Sequence, residues 1–309
     1  MLDITRLRVL AAVARHGSVT AAARALGYAQ PSVSHHLARL EAETGSRLIQ
    51  RVGRGIRLTD AGRMLAERAE EILGRLNAAE AELAAHTGLH AGRVRLAAFP
   101  SALGAFVPRA AATFTAAHPD VELRFTEAEP PDAVRLLRSG EVDVAVLFSY
   151  PDTPLADDDG LRRTPLLTEP TYLVTPEDLP GDRLGDHATR RWISGCERCR
   201  THLVRSCEAA GFTPDIAFTT DDYVAVQALV AAGLGVTTLP GLALAAQRNP
   251  AVRLVCLPGQ QRVISAAVHG EPPDPPATAA LLEHLTRAVR DGRCYEPTPP
   301  VALSAGQTA

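Results

Sequence analysis

Residues 17–41, GSVTAAARALGYAQPSVSHHLARLE, constrain this chain more than any other stretch. Ser18 has the chemistry of a helix N-cap, because its hydroxyl can accept a bond from an orphan backbone N–H. Ala21, Ala22, Ala23 and Ala25 are strong helix formers with little bulk, so a second helix can cross at close range. Leu26 closes the apolar face, and Gly27 stands where a helix end must turn left-handed. Pro31 then suits the first turn of a new helix, where a missing N–H costs nothing. Val33, Leu37 and Leu40 follow at spacings of four and three and share one buried face. The segment predicts a helix-turn-helix whose second helix presents Gln30, Pro31, Ser32, Ser34, His35, His36 and Arg39 outward. Hydrogen-bonding residues at the exposed start of such a helix are what reading base edges in a major groove requires.

An ordinary helical hairpin in an all-α domain would show the same caps, so the flanking residues decide. Upstream, Leu7, Leu10 and Val13 repeat at three-residue spacing and supply a first helix for the pair to pack on. Downstream, Arg51-Val52-Gly53-Arg54-Gly55-Ile56-Arg57 predicts a β-wing with a glycine-bearing tip. Arg51 and Arg54 are expected on phosphates or in a narrow minor groove. Residues 1–60 hold nine arginines and four acids, a net charge of +5, while the whole chain carries −3. The remainder therefore carries −8, and a basic head on an acidic body is the asymmetry expected of a DNA reader. All 32 basic residues are arginine, which has no functional explanation in the sequence.

Gly17-Ser18-Val19-Thr20-Ala21-Ala22-Ala23, Leu26, Gln30-Pro31-Ser32-Val33-Ser34, Leu40-Glu41, Leu48, Arg51 and Leu58-Thr59-Asp60-Ala61-Gly62 stand in the order and spacing of one family. Residues 1 to about 90 resemble the DNA-binding half of a LysR-type transcriptional regulator. Two positions depart from that pattern. Ile49 stands where members commonly have phenylalanine, and His35 stands where arginine is frequent. An imidazole offers a different donor and acceptor set, so the half-site sequence would differ.

From Ala61 the apolar residues Leu65, Ala69, Ile72, Leu76, Ala79 and Leu83 alternate at spacings of four and three, a heptad seam. A helix packed on its own domain would carry a similar stripe. The resemblance implies a linker helix that pairs with its copy, with Leu65, Ile72, Leu76 and Leu83 as dimerisation residues. Two recognition helices across a two-fold axis would then read a pseudo-palindrome. The helix is expected to end between His86 and Gly92.

Beyond it, short apolar runs alternate with helical patterns, which predicts a mostly parallel sheet covered on both faces. Strands are expected at 94–99, 121–126, 142–148, 171–175, 191–193, 216–219, 235–239, 252–257 and 263–268. Helices are expected at 103–117, 132–139, 198–210, 222–232 and 277–290. The family resemblance implies an α/β effector domain of two Rossmann-like lobes, similar to type 2 periplasmic binding proteins, behind the winged helix-turn-helix and long linker helix. Thr219-Thr220-Asp221-Asp222, Val230–Val236 and Leu239-Pro240 match its second lobe. Crossovers are expected near 166–168 and 265–267. The domains so read are 1–60 (winged helix-turn-helix), 61–90 (linker) and 91–292 (effector domain). Within the last, lobe 1 takes 91–166 and 268–292, and lobe 2 takes 167–267. A disordered tail is expected at 293–309.

Ligands of open α/β sheets settle beyond the carboxyl ends of strands, against helix N-termini. Ser101, Ala102, Ser149, Ser194 and Cys196 occupy such places, and Thr220 and Asp221 would line the same cleft. Each serine would also serve as a plain helix cap. Helix dipoles favour an anionic effector, whereas Asp221 in the cleft would favour a polar or amine-bearing one.

The five cysteines are an odd number with no secretory signal, which argues for a reducing cytoplasm and against a disulfide framework. No apolar run approaches the roughly 18 residues of a membrane span. Cys196-Glu197-Arg198-Cys199, with Cys207 beyond, admits three readings: buried or pocket-lining residues, a thiol-based redox sensor, or a soft-metal sensor with His202. Flanking Arg198 and Arg200 predict a thiolate-prone Cys196. His35-His36, His86, His90 and His269 lack ligand partners, so no metal site and no cofactor is assigned.

Among function classes, an enzyme or solute receptor on the same fold would not need the winged head. No G-x-S-x-G elbow, phosphate-cradling loop or HExxH is present, and no catalytic residue is assigned. The sequence therefore predicts a ligand-responsive, sequence-specific DNA-binding transcriptional regulator in the cytoplasm. Its expected partners are a pseudo-palindromic duplex operator, an unidentified small-molecule effector, RNA polymerase and copies of itself as a homodimer or homotetramer.

Overall fold

The N-terminal helices begin and end where their caps dictate. The computed structural model describes residues 2–52, 55–86, 92–153 and 160–290. Its contacts divide the chain into two units, 1–89 with 135–142, and 90–134 with 143 onward. In the first, α1 (Ile4–His16) is capped by Asp3, whose carboxylate accepts from Arg6 N at 3.1 Å. Helix α2 (Val19–Leu26) is capped by Ser18, whose Oγ accepts from Ala21 N at 3.0 Å. Gly27 ends it at φ 68°, a conformation costly for any residue with a Cβ. Helix α3 (Gln30–Thr44) carries Pro31 in its first turn. Val33, Leu37 and Leu40 are fully buried against Val9, Leu10, Val13, Ala22 and Ala23. Each fully buried leucine contributes about 1.5–3 kcal/mol.

The wing is an antiparallel hairpin of β1 (Ile49–Val52) and β2 (Gly55–Leu58), with Gln50 opposite Arg57 and Arg51 opposite Ile56. It starts two residues before the predicted run, and Gly53 and Arg54 lie outside the described residues. Helix α4 (Asp60–His86) follows, about 40 Å long at 1.5 Å per residue. Its entry is fixed twice. Thr59 Oγ1 accepts from Gly62 N at 3.0 Å and donates to Arg47 O at 2.7 Å. Gly62 meets the Leu48 carbonyl so closely that a Cβ there would overlap it.

Helix α4 also corrects the predicted seam. Leu65 packs in the unit's own core with Leu7, Ala11, Ala69 and Leu73. It therefore does not belong to an open dimerisation face. Ile72 remains 42% exposed and Leu76 half-buried, so the stripe is open only from the third turn onward. The side chain of Leu83 and residues 87–91 lie outside the description.

In the second unit come β3 (Arg93–Ala98), α5 (Pro100–Ala105), α6 (Val107–Ala117), β4 (Glu122–Glu127), the start of α7 (Pro130–Arg138, its residues from 135 on falling in the first unit) and β5 (Val144–Ser149). After β6 (Leu161–Pro176) follow β7 (Arg191–Ser194), α8 (Glu197–Ala209), β8 (Asp215–Thr219), α9 (Tyr223–Ala231), β9 (Thr237–Pro240) and α10 (Gly241–Ala246). β10 (Val252–His269) and α11 (Pro276–Arg290) close it. One sheet has the order β4-β3-β5-β10-β6-β9, with β3 parallel to both β4 and β5. The parallel pair β7-β8 reaches toward β9 through a bridge between Trp192 and Val236. The two Rossmann-like lobes share β6 and β10, which run antiparallel along their whole length. One core gathers Phe99, Phe106, Phe114 and Phe148, and another gathers Trp192, Leu203 and Cys207.

Three expectations are corrected. The segments 252–257 and 263–268 form one strand, not two. Leu257-Pro258-Gly259-Gln260 reads like a turn but occupies an irregularity in the ladder between Cys256 and Gln261. The strand expected at 171–175 begins ten residues earlier, at Leu161. The helix expected at 103–117 is two helices, α5 and α6, because Pro108 starts a new first turn after Phe106. The tail from 291 lies outside the described residues.

Where the two long strands cross between lobes, Glu169 on β6 faces Arg262 on β10. Both are wholly buried, with Arg262 Nε donating to Glu169 Oε1 at 2.6 Å. Glu169 Oε2 accepts from Leu242 N, in the first turn of α10, at 2.6 Å. Arg262 Nη2 donates to Ser101 Oγ on α5 at 2.6 Å. The guanidinium lies 4.8 Å from the Phe99 ring centroid and 4.5 Å from that of Phe148.

Two outcomes follow for stability. Gly62→Ala pushes α4 off the wing and costs at least about 1–3 kcal/mol in denaturant unfolding; an unchanged midpoint contradicts the close approach. Glu169→Gln strands a buried guanidinium and costs about 3–5 kcal/mol, whereas Glu169→Leu with Arg262→Met costs much less. Equal losses for the single and the double variant contradict the pairing.

Candidate DNA-reading face and effector cleft

On the first unit, the buried stripe of α3 fixes which residues face outward. Gln30, Pro31, Ser32, Ser34, His35 and Arg39 are exposed, and His36 is half-buried. Gln30 Nε2 donates to Ser34 Oγ at 3.3 Å, so this amide and this hydroxyl are oriented together. The His36 ring lies 6.1 Å from that of Tyr28 and 6.3 Å from that of His35. A groove of about 980 Å³ lies between the starts of α2 and α3 and the wing, lined in part by Thr20, Gln30, Ser34, Arg47 and Gln50. Arg57 is exposed on β2. Arg51 lies on β1 but its side chain, like all of Arg54, is outside the description.

Sequence reasoning missed three residues of this face. Arg47, just before the wing, and Gln50, on its first strand, open onto the groove. Glu41 holds the wing in place: its Oε1 accepts from Leu48 N at 2.8 Å and from Ile49 N at 3.2 Å. A carboxylate eight residues ahead of a strand carries no local signal for that role.

In the second unit, the expected effector residues gather around the crossing of β6 and β10. Ser101 and Ala102 are buried in the first turn of α5. Ser101 does not offer an open hydroxyl, because it sits between Arg262 Nη2 and the Tyr223 phenol. Ser194, at the end of β7, is buried and its Oγ lies 2.8 Å from Thr219 Oγ1. Both serines were expected as ligand-facing hydroxyls; Ser194 is instead engaged by Thr219 within its own lobe, and Ser101 by Arg262 and Tyr223 from beyond its own. Ser149 is half-buried at the end of β5. Thr220 N donates to Ser194 O at 3.0 Å, and its Oγ1 accepts from Asp222 N at 3.2 Å. Asp221 is exposed beside Gly195, and partial desolvation raises its carboxyl above the usual range.

Cys196 caps α8, its Sγ accepting from Cys199 N at 3.4 Å. Its thiol donates to Cys199 Sγ at 2.9 Å, and the Tyr150 hydroxyl approaches the same sulfur at 3.7 Å. These contacts reverse the expected ionisation. Cys196 is pushed up, first by its hydrogen bond to Cys199 and then by burial and the nearby charges of Cys199 and Glu129. Cys199 is pulled down, first by the Cys196 hydrogen bond and then by Arg262 and Tyr150. Arg198 is turned away, donating to Thr153 O.

The set of Cys196, Cys199 and Cys207 is not assembled. Cys207 is buried in the core around Trp192, where burial pushes its thiol up to about 12. His202 stacks on Tyr150 with ring centroids 3.9 Å apart and pairs with Asp152 at 3.1 Å. Among the described residues, no three such side chains converge as metal ligands.

Near the crossing strands lie residues that the sequence did not single out. Glu129, just before α7, has its carboxyl raised by burial and by Asp221, while a hydrogen bond with Cys196 lowers it. Its Oε2 has no hydrogen-bond partner, and neither does Arg262 Nη1. A charged residue inside the apolar strand 252–268 was the one available signal for Arg262.

Residues 4–63 match the family model described as "Bacterial regulatory helix-turn-helix protein, lysR family", and residues 87–290 match that of the LysR substrate binding domain. YcgK of Bacillus subtilis, named as an uncharacterized HTH-type transcriptional regulator, is 30% identical over 278 residues, covering 78% of this chain and 81% of its own. LrrA of Synechococcus elongatus, named as a probable HTH-type transcriptional regulator, is 29% identical over 300 residues, covering 94% and 99%. Among solved structures, CbnR, a LysR family transcriptional regulator, aligns with a TM-score of 0.60 at 24% identity over 93% of this chain and 99% of that one. The chain belongs to the LysR family of transcriptional regulators.

Proposed function

We propose that this regulator reads a pseudo-palindromic operator as a homo-oligomer and responds to a polar effector between the two lobes. The observation that supports the reading most is α3: a fully buried Val33-Leu37-Leu40 stripe beneath exposed Gln30, Ser32, Ser34, His35 and Arg39. A helix so anchored holds its polar residues rigidly enough to distinguish base edges, while the wing arginines position it on the backbone. CbnR, whose fold this chain shares, has been solved with its target DNA.

The effector reading rests on two orphaned polar atoms near the crossing strands, Glu129 Oε2 and Arg262 Nη1. Buried polar groups without partners cost about 1–3 kcal/mol each, and a ligand that supplies the bonds recovers that cost. Glu129 and Asp221 favour an effector that presents hydrogen-bond donors. Its binding would change the angle between the lobes and, through α4, the spacing of the DNA-reading heads, DNA bending and contact with RNA polymerase. The chain in this reading is a cytoplasmic regulator without enzymatic activity. Among the described residues no helix is long and apolar enough to cross a membrane.

Two mutant classes separate reading from positioning. Ser34→Ala and His35→Ala change the ranking of operator sequences, each by about 1–3 kcal/mol at one base position. Arg39→Ala and Arg57→Ala weaken binding on every sequence and reduce the salt slope by about 1 each. Anisotropy titrations over a salt series measure both, and identical behaviour of the two classes contradicts the assignment. Ile72→Glu shifts the protein toward monomer in sedimentation velocity; an unchanged assembly removes α4 from the interface.

A further inference from the structure

The CxxC segment at the start of α8 is not absorbed by effector binding. Its sulfurs lie 2.9 Å apart, one on the N-cap residue and one three residues on in the first turn. Residues three apart in a helix turn stand within the Cα separation that a disulfide spans, and the sulfurs must close by only about 0.9 Å to reach bonding length. Both cysteines are half-buried, while Cys207 is sealed in a separate core. Three groups point at the pair. Tyr150, on the segment after β5, directs its hydroxyl at Cys199 Sγ. Arg262 carries an Nη1 without a partner, and its charge favours the ionised Cys199. Glu129 hydrogen-bonds Cys196 and keeps one carboxylate oxygen unpaired.

We propose that Cys196 and Cys199 form a reversible dithiol–disulfide couple that exchanges with low-molecular-weight disulfides, with Cys199 attacking and Cys196 resolving. The Cys199 thiolate attacks one sulfur of the reagent, its S–S bond breaks, and one thiolate leaves. Cys196 then passes its proton to Glu129 and attacks the Cys199 sulfur, expelling the second thiolate. The protein dithiol is oxidised by two electrons, and the reagent is reduced to two thiols. The intrahelical bond constrains little backbone. Its effect is electrostatic: it removes the negative sulfur beneath the Tyr150 hydroxyl and near Arg262, where the lobes meet. The choice of attacking sulfur follows from the hydrogen bonds, because Cys196 donates to Cys199 and Cys199 is pulled toward its thiolate.

The full-length wild-type protein is equilibrated with mixtures of reduced and oxidised glutathione, blocked with N-ethylmaleimide and digested with trypsin. Closure leaves the Trp192–Arg198 peptide joined to Cys199-Arg200, with no maleimide on either, and excess reduced glutathione reverses it. Maleimide on both cysteines at every ratio overturns the couple, as does glutathione retained on one sulfur without closure. Cys196→Ser then traps glutathione on Cys199, while Cys199→Ser leaves Cys196 reacting at least tenfold more slowly. The opposite pattern overturns the assigned roles. Tyr150→Phe slows the first exchange severalfold without preventing closure; an unchanged rate removes Tyr150 from thiolate stabilisation.

Discussion

The ion pair between Glu169 and Arg262 sets the conditions for everything around the second unit's cleft. Two charges without solvent contact cost several kcal/mol to desolvate, and attraction alone seldom recovers that. Here the recovery comes from further partners on both side chains. Glu169 takes one bond from the guanidinium and one from the start of α10, and Arg262 adds Ser101 and two phenyl faces. The pair thereby joins both crossover strands to α5 and α10. It also fixes the register of β6 and β10 just beyond the irregularity between Cys256 and Gln261. A slip of one residue would turn both charges onto the opposite face of the sheet.

What the pair leaves incomplete gives the cleft its chemistry. One guanidinium nitrogen has no acceptor, and its field reaches Cys199, Tyr150 and Tyr223. On the other side, burial raises the carboxyls of Glu129 and Asp221, and Asp221 adds to the shift at Glu129, so carboxyls of raised basicity stand near a cation whose charge Glu169 maintains. Such an arrangement disfavours a simple anion and favours ligands that give and accept hydrogen bonds together. The DNA-reading unit relies on different forces. Its geometry comes mainly from apolar burial and caps, with Glu41 bracing the wing, and α3 leaves its polar residues at the surface.

The legibility of the sequence follows this division. Helix caps and apolar periodicity are local, so Ser18, Gly27, Pro31 and the Val33-Leu37-Leu40 stripe could be read directly. The crossing strands depend on partners about ninety residues apart in sequence, and Pro258-Gly259 looks like a turn to any local reading. Ser101 and Ser194 were correctly placed at strand ends, but only the fold reveals that Arg262 and Thr219 already engage them. Leu65 obeys the heptad and yet belongs to the core under α1, since spacing alone does not distinguish an inner face from an outer one. Cys196 looked acidic because of the arginines beside it in sequence; Arg198 turns away to Thr153, and the sulfur of Cys199 decides the Cys196 proton instead.

The central claim is that two copies of α3 read two related half-sites. Hydroxyl-radical footprinting of the full-length protein on DNA containing its operator tests this most directly. The account predicts two protected segments related by a dyad, centred about 10 base pairs or a multiple apart, surviving excess non-specific DNA. Uniform protection that competitor DNA abolishes would contradict it, because binding would then rest on charge alone and not on the residues that α3 presents.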